Sequence, residues 1–382
     1  MKIIINTSTL IGSGVTQVAV SFLYECLKLK DNNEYYVFLG NQVSKSIVKD
    51  HFDKRFRFYN IEPKPLPILG KGFKSLFLMK KIEREIKPDA VFSVFGPSWW
   101  SPKAPHLQGY AYPHYVFPES PYFNIISNSK KITIELYKFI HMFFMKRNGQ
   151  YFVSESEIVS YRWAKLLNIS NEKVFTVSNT CNSFFREFKD DGRISYLPKK
   201  EVNEFRFISL CTMQEHKNLI ILNKVIPILK EKGYNNIKFV LTIDQNSLDN
   251  QFNDNIKDSI INVGRIPPAD CPYLFNECDA LFLPTLLECF TANYPEAMYL
   301  NKPIITSNLS FATDICKDTA IYFDPLSPED IVDCILKLYL DIDLRNEMIK
   351  KGKEQLKLFL TPKERAIKYL DILKKIQDEG IS

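Results

Sequence analysis

No apolar run in the 382 residues approaches the roughly 20 consecutive positions that a helix needs to cross a bilayer. A membrane-spanning helix is therefore excluded from the expected fold. The opening stretch, Met1 to Gly12, is too short and too strand-like for a secretory leader, so a cytoplasmic protein is expected. None of the eight cysteines forms a C-x-x-C pair, and several sit in apolar strand or helix patterns. Buried free thiols are expected rather than disulfides or a zinc site. Dense Lys/Arg runs with interleaved aromatics are missing too, which leaves nucleic acid without a footprint. The first strand-to-helix turn carries only Gly12-Ser13-Gly14, with no third glycine three residues on. A dinucleotide fingerprint is not supported there. The turn is either plain and tight or a place where backbone amides approach a phosphate.

What is present is ordinary for a globular protein, with 45% hydrophobic and 25% charged residues. The length favours two domains over one core. Charge is uneven. Residues 1–190 hold 26 Lys+Arg against 16 Asp+Glu, whereas the remainder holds 24 against 28. A basic N-terminal half fits an anionic acceptor or a membrane surface, or serves solubility alone.

Apolar runs at Lys2–Asn6, Tyr35–Leu39, Phe56–Ile61 and Ala90–Phe95 alternate with helical patterns at 16–28, 42–53 and 74–86. That alternation predicts an α/β, doubly wound parallel sheet. The helices at 71–87 and 130–147 are basic and aromatic; each either packs on the sheet or rests on anionic lipid. Between them, residues 95–121 are rich in Pro, Trp and Tyr, which predicts a long loop around one short strand, Leu107–Tyr112. Aromatics of this kind can stack on sugar rings. His114 follows that strand. Further strands are expected at Tyr151–Ser154 and Val174–Asn179. The polar stretch 189–204 reads as a linker and sets the expected boundary, residues 1–190 forming one domain and 191–364 the next.

The second domain opens with a strand at Phe205–Thr212, a loop and a helix from Leu219. Lys217 falls at the carboxyl edge of that first strand, where it is either solvated or placed to meet a diphosphate. A strand is read at Ile261–Ile266, carrying Gly264 and Arg265. Residues 280–305 then read as strand, loop, helix and strand. Glu288 and Glu296 bracket the loop with seven residues between them. Glu296 fits a capping box with Asn293, whereas Glu288 has no helix to cap and is functional or solvated. In an open parallel sheet both would lie outside the strands' carboxyl ends, where ligands bind.

The run Pro284 to Glu296, with Glu288, Phe290 and Glu296 at these spacings, resembles the E-x7-E signature of the family-four (group 1) retaining glycosyltransferases. The resemblance implies the GT-B architecture, two Rossmann-like domains facing across a cleft, with a last helix at about 365–382 returning to the first. It implies a nucleotide-diphosphate sugar as donor and a glycan or lipid-linked acceptor, with neither cofactor nor metal. Glu296 would hold the ribose, and Glu288 would lie beside the transferred sugar. Lys217, in the matching His216-Lys217-Asn218, would hold the diphosphate with Asn218 next to it. Arg265 and Ile266 would lie at the nucleobase, and Phe290 and Thr291 at the signature loop. Gly12 and Gly14 would face the bond being made, and His114, more loosely, would lie near the donor sugar. Surface-polysaccharide synthesis in a bacterium is the setting this implies; a silent nucleotide-sugar binder and an epimerase are the alternatives. Three positions depart from the pattern: Thr212 stands where an arginine is common, and Cys289 and Thr291 replace smaller residues. Asp341-Ile-Asp343 matches a D-x-D metal motif of a different fold, but falls between two amphipathic helices and is not read as a metal site.

Overall fold

The computed structural model describes residues 1–61, 71–192 and 195–380, without the side chains of Ser13 and residues 71–73. Arg193 and Ile194 of the expected linker, the Phe73 side chain of the basic helix and the last two residues of the final helix thus lie outside it. Two parallel sheets organise the rest. In the first, β1 (Lys2–Asn6), β2 (Glu34–Leu39), β3 (Phe56–Asn60), β4 (Ala90–Ser93), β5 (His106–Gly109), β6 (Tyr151–Ser154) and β7 (Val174–Thr176) lie in the order β3-β2-β1-β4-β5-β6-β7. In the second, β8 (Phe205–Ser209), β9 (Ile237–Leu241), β10 (Ile260–Asn262), β11 (Ala280–Leu283), β12 (Ile304–Ser307) and β13 (Ala320–Phe323) lie in the order β10-β9-β8-β11-β12-β13.

Continuous apolar strands such as Ala280–Leu283 are buried on both faces, as a sheet covered by helices on each side requires. Alternation along β1 divides the first core. Ile3 and Ile5 join Phe22 and Tyr369 on one side, and Ile4 joins Met79, Ile82 and Trp100 on the other. Each sheet reverses its strand order once, between β1 and β4 and between β8 and β11. At such a reversal the adjacent loops leave in opposite directions and open a crevice.

The chain divides into one unit of residues 1–116, 127–179 and 360–382, and a second of 117–126 and 180–359. The crossing at 179–180 precedes the polar stretch that composition marked. Phe185 already packs edge-on against Phe275 at 5.4 Å, and Phe188 against Tyr273 at 4.9 Å. The described part of that stretch is a loop of the second unit, with the Tyr196 N–H donated to Glu277 at 2.7 Å. Residues 117–126 join that unit through the Ser120 hydroxyl, which donates to the Leu286 carbonyl at 2.6 Å. The final helix, Pro362–Gly380, opens with a reciprocal cap. The Glu364 N–H donates to Thr361 Oγ1 at 3.1 Å, and the Thr361 N–H to the Glu364 carboxylate at 2.7 Å. It packs on the helix Ser13–Lys28, where Tyr369 meets Phe22 edge-on at 5.5 Å.

Several strands end earlier than read from sequence: β4 stops at Ser93, β7 at Thr176 and β8 at Ser209. β5 stops at Gly109 and β10 at Asn262. Gly109 allows β5 to pass the loop after β4. A Cβ there would lie 1.8 Å from the Val94 carbonyl oxygen, a backbone atom that cannot swing aside. Gly109→Ala should therefore cost about 3 kcal/mol or more in denaturant unfolding. A loss below about 0.5 kcal/mol, the size of a neutral surface change, would contradict this packing.

Candidate functional site

The reversal between β8 and β11 is fixed by the Ser209 hydroxyl, which donates to the Phe282 carbonyl at 2.6 Å. The loops that follow are stitched through one acceptor. The His216 carbonyl takes the Leu286 N–H at 2.7 Å and the Thr285 hydroxyl at 3.0 Å. A 3-10 turn, Glu215–Lys217, ends in Asn218, which adopts the left-handed region with φ 55°. The buried Asn218 side-chain amide donates to the Pro325 carbonyl at 2.9 Å, so it holds the turn that presents Lys217.

Lys217 and Glu288 consequently form an ion pair, mostly withdrawn from solvent, across the two loops. Burial works against the Lys217 ammonium, but the Glu288 carboxylate beside it more than offsets this and raises its pKa above the usual lysine value. The lysine is a fixed cation with a resident counter-anion. An incoming dianion can take the place of that carboxylate without the cation moving.

Glu296 stands differently from the capping box that its sequence predicts. The helix Asn293–Tyr299 has Ala292 at its N-cap, with no side-chain cap. The Asn293 amide donates to the Leu210 carbonyl at 3.0 Å, and the Glu296 N–H to the Ala292 carbonyl at 3.0 Å. The tertiary contact to Leu210 has drawn the asparagine away from the helix end. The Glu296 side chain is buried, and burial pushes its pKa up to about 8 against the lowering effect of one donor, the Asn182 N–H. A buried carboxyl with spare acceptor capacity suits a ligand that brings hydroxyl donors. Its helix is tied to the sheet by Tyr294, whose hydroxyl pairs with Thr306 Oγ1 at 2.8 Å. Asn182 was not legible as a site residue. It also accepts the Phe184 N–H at 3.1 Å as a helix cap, and that capping pattern was the only signal available.

The other candidates fall in several places. Phe290 and Thr291 are buried in the same loop, Phe290 edge-on to Phe359 at 6.2 Å. Gly264, Arg265 and Ile266 lie in the loop after β10 rather than on a strand. Arg265 is exposed, and its charge acts on Asp244. His114 is half-buried on the single turn Pro113–Val116, in the first unit. Gly12, with φ 115°, is in that unit also. Its N–H is donated to Gln42 Oε1 at 2.8 Å, so this amide already has a partner. Gly14 meets no packing demand for glycine, as an added Cβ would have nothing within 4 Å. Asp341 caps a helix by accepting the Leu344 N–H at 2.8 Å. Among the described residues no group of three or more His, Cys, Asp or Glu is placed to hold a metal.

Residues 196–355, which include Lys217, Glu288 and Glu296, match the family described as glycosyl transferases group 1. No curated protein matches the chain significantly. Among solved structures, the chain resembles a glycosyltransferase from Rickettsia africae, with 16% identity, 98% of each chain covered and a TM-score of 0.72. It is also similar to WaaG, a glycosyltransferase involved in lipopolysaccharide biosynthesis, with 12% identity over 98% of this chain and 99% of that one and a TM-score of 0.70. HepE of Anabaena, in complex with UDP and glucose, gives 11% identity over 98% and 100% of the two chains and a TM-score of 0.68. At such identities the structural likeness carries the fold, and the family match carries the chemistry. Residues 196–355 therefore match the group 1 glycosyl transferases, and the chain as a whole has the two-domain GT-B fold.

Proposed function

We propose that the enzyme is a retaining glycosyltransferase that moves a sugar from a nucleotide-diphosphate sugar to a glycan or lipid-linked acceptor. The observation that carries this reading is the Lys217–Glu288 pair at the carboxyl ends of β8 and β11, in one unit with the buried Glu296. Donor binding exchanges the Glu288 carboxylate for the diphosphate on Lys217. The bond from the sugar's anomeric carbon to the diphosphate oxygen breaks, and negative charge grows beside a cation that needs no reorganisation. The acceptor oxygen attacks the same face, and its proton passes to the departing diphosphate. Glu288, released from the lysine, faces the sugar as positive charge develops on it.

Glu296 accepts hydrogen bonds from the ribose hydroxyls. Arg265 and Ile266 serve the nucleobase, Asn218 holds the Lys217 turn, and Phe290 and Thr291 shape the donor loop. His114, Gly12 and Gly14 belong to the acceptor-side unit. No metal or cofactor has a part in this scheme, since Lys217 supplies the charge. UDP and UDP-glucose in the Anabaena protein support a nucleotide-sugar donor, and the setting of WaaG supports surface-polysaccharide synthesis. The eight free cysteines suit a reducing, cytoplasmic compartment.

The test is incubation with a panel of nucleotide sugars and a lipid-linked acceptor in the presence of a chelator. Release of nucleoside diphosphate, with product of the donor's anomeric configuration, is expected, and the chelator should not slow it. Conversion of donor without acceptor would identify an epimerase. Binding with no release would identify a silent relative.

A further inference from the structure

Residues 117–126 directly follow the turn that carries His114, yet they group with the second unit. The segment is ordered by short-range hydrogen bonds of its own. The Ser120 N–H donates to the Phe117 carbonyl at 3.1 Å, the Phe123 N–H to the Ser120 carbonyl at 3.1 Å and the Asn124 N–H to the Pro121 carbonyl at 2.9 Å. Phe117, Ser120, Tyr122 and Ile126 are buried, whereas Glu119, Asn124 and Ile125 are exposed. The segment is thus a strap with one edge turned into the unit.

Three contacts on that edge fix its position. Phe117 meets Phe311 of the helix Ser310–Cys316 edge-on at 6.2 Å, and Tyr122 meets His216 edge-on at 6.3 Å. Between them, the Ser120 hydroxyl accepts the Tyr122 N–H at 3.1 Å and donates to the Leu286 carbonyl at 2.6 Å. The two loops so touched are those that bear the Lys217–Glu288 pair. His216 precedes Lys217, and Leu286 lies two positions before Glu288. Leu286 is fully buried, so its carbonyl needs a donor from the protein, and Ser120 supplies one. The N–H of Leu286 in turn donates to the His216 carbonyl. Ser120, Leu286 and His216 are therefore linked in series, and the last peptide of the series leads into Lys217. Loss of the first bond would let the Leu286 peptide tilt, and the His216 carbonyl that it holds would move with it. A cation whose value lies in being already in place tolerates little displacement.

We propose that residues 117–126 are a positioning strap for the donor site, with Ser120 setting the backbone on which Lys217 and Glu288 stand. A segment from the first half of the sequence thus helps to hold the diphosphate without touching it. This role rests on the reading of Lys217 as the diphosphate's cation. UDP is the probe, titrated calorimetrically into the full chain and into Ser120→Ala, Lys217→Ala and the double variant. Ser120→Ala should weaken UDP binding by about tenfold, since it strands a buried carbonyl between the two loops. In the Lys217→Ala background the same change should cost less than about twofold, because residues that act through one another are not additive. A further loss of about tenfold in that background would be the additive result of a purely structural residue and overturns the proposal. So does a Ser120→Ala protein that binds like the parent while Lys217→Ala does not. Lys217→Ala binding like the parent would instead remove the donor reading, and the strap's role with it. Hydrogen exchange on the parent needs no variant to fold. UDP should slow exchange of the 117–126 amides by about tenfold or more, and unchanged exchange overturns the proposal.

Discussion

Lys217→Ala will slow transfer by about a hundredfold or more, the consequence of removing one well-placed charge contact worth roughly 2–4 kcal/mol at the transition state. The same change strands Glu288 in a mostly buried position, so the free protein should also lose about 1–3 kcal/mol of stability. A partner variant separates the two effects. Glu288→Gln removes the resident competitor of the diphosphate while keeping the side chain's shape. Nucleoside diphosphate should then bind at least as tightly as to the parent, while turnover falls. The combination Lys217→Met, Glu288→Gln should restore much of the stability lost in the single lysine variant, because no unpaired charge remains. It should restore none of the activity. Calorimetric binding, steady-state kinetics and thermal unfolding on the four proteins measure all three. Normal turnover by Lys217→Ala would show that this cation does not serve the leaving group.

Glu296→Gln should remove a pH dependence that the parent displays. The Glu296 carboxyl titrates at about 8 in the folded chain, well above the ordinary glutamate value. The folded state therefore binds this proton more tightly than the unfolded chain. Its contribution to stability is complete below about pH 4.5 and is lost as pH rises through about 8, with a slope of up to about 1.4 kcal/mol per unit. The difference in stability between parent and glutamine variant should follow that slope, because the buried His106 and His141, both lowered to about 4, contribute equally to the two proteins. Cys181 and Cys271 sit in the acid's field, but burial raises both thiols far enough that they stay neutral there, Cys271 to about 12. Ribose hydroxyls would favour the charged carboxylate. Donor binding near neutral pH should thus release a proton, and affinity should strengthen toward pH 8. Calorimetry in buffers of different ionisation enthalpy reads that proton directly. Glu296→Ala should lower activity by about a hundredfold or more. Binding without proton release, unaffected by the glutamine change, would remove Glu296 from the donor site.

How far these residues could be read from sequence depended on whether their geometry was local. Strands buried on both faces announce themselves as apolar runs, and Ala280–Leu283 and Ile304–Ser307 stand close to where the runs predict them. The end of β10 was less legible. The Asn262 side chain accepts the Ile243 N–H at 3.2 Å, and Gly264 turns the chain with φ 70°. Those events end the strand before Arg265, although apolar residues continue on either side. The spacing Asn293-x-x-Glu296 is a sound local cap signal, yet the Leu210 carbonyl, 83 residues away in the chain, claimed the asparagine. The Lys217–Glu288 pair joins loops 71 residues apart and depends on the strand order β8–β11, which no local pattern encodes. Composition found the polar loop at 189–204, but the change of unit follows the packing of Phe185 and Phe188.

A crystal structure with a nucleoside diphosphate bound tests the central claim most directly. Lys217 Nζ should stand at hydrogen-bond distance from a diphosphate oxygen, with Glu288 turned away from it and the Glu296 carboxylate on the ribose hydroxyls. A nucleotide seated elsewhere, with Lys217 still paired to Glu288, would contradict it.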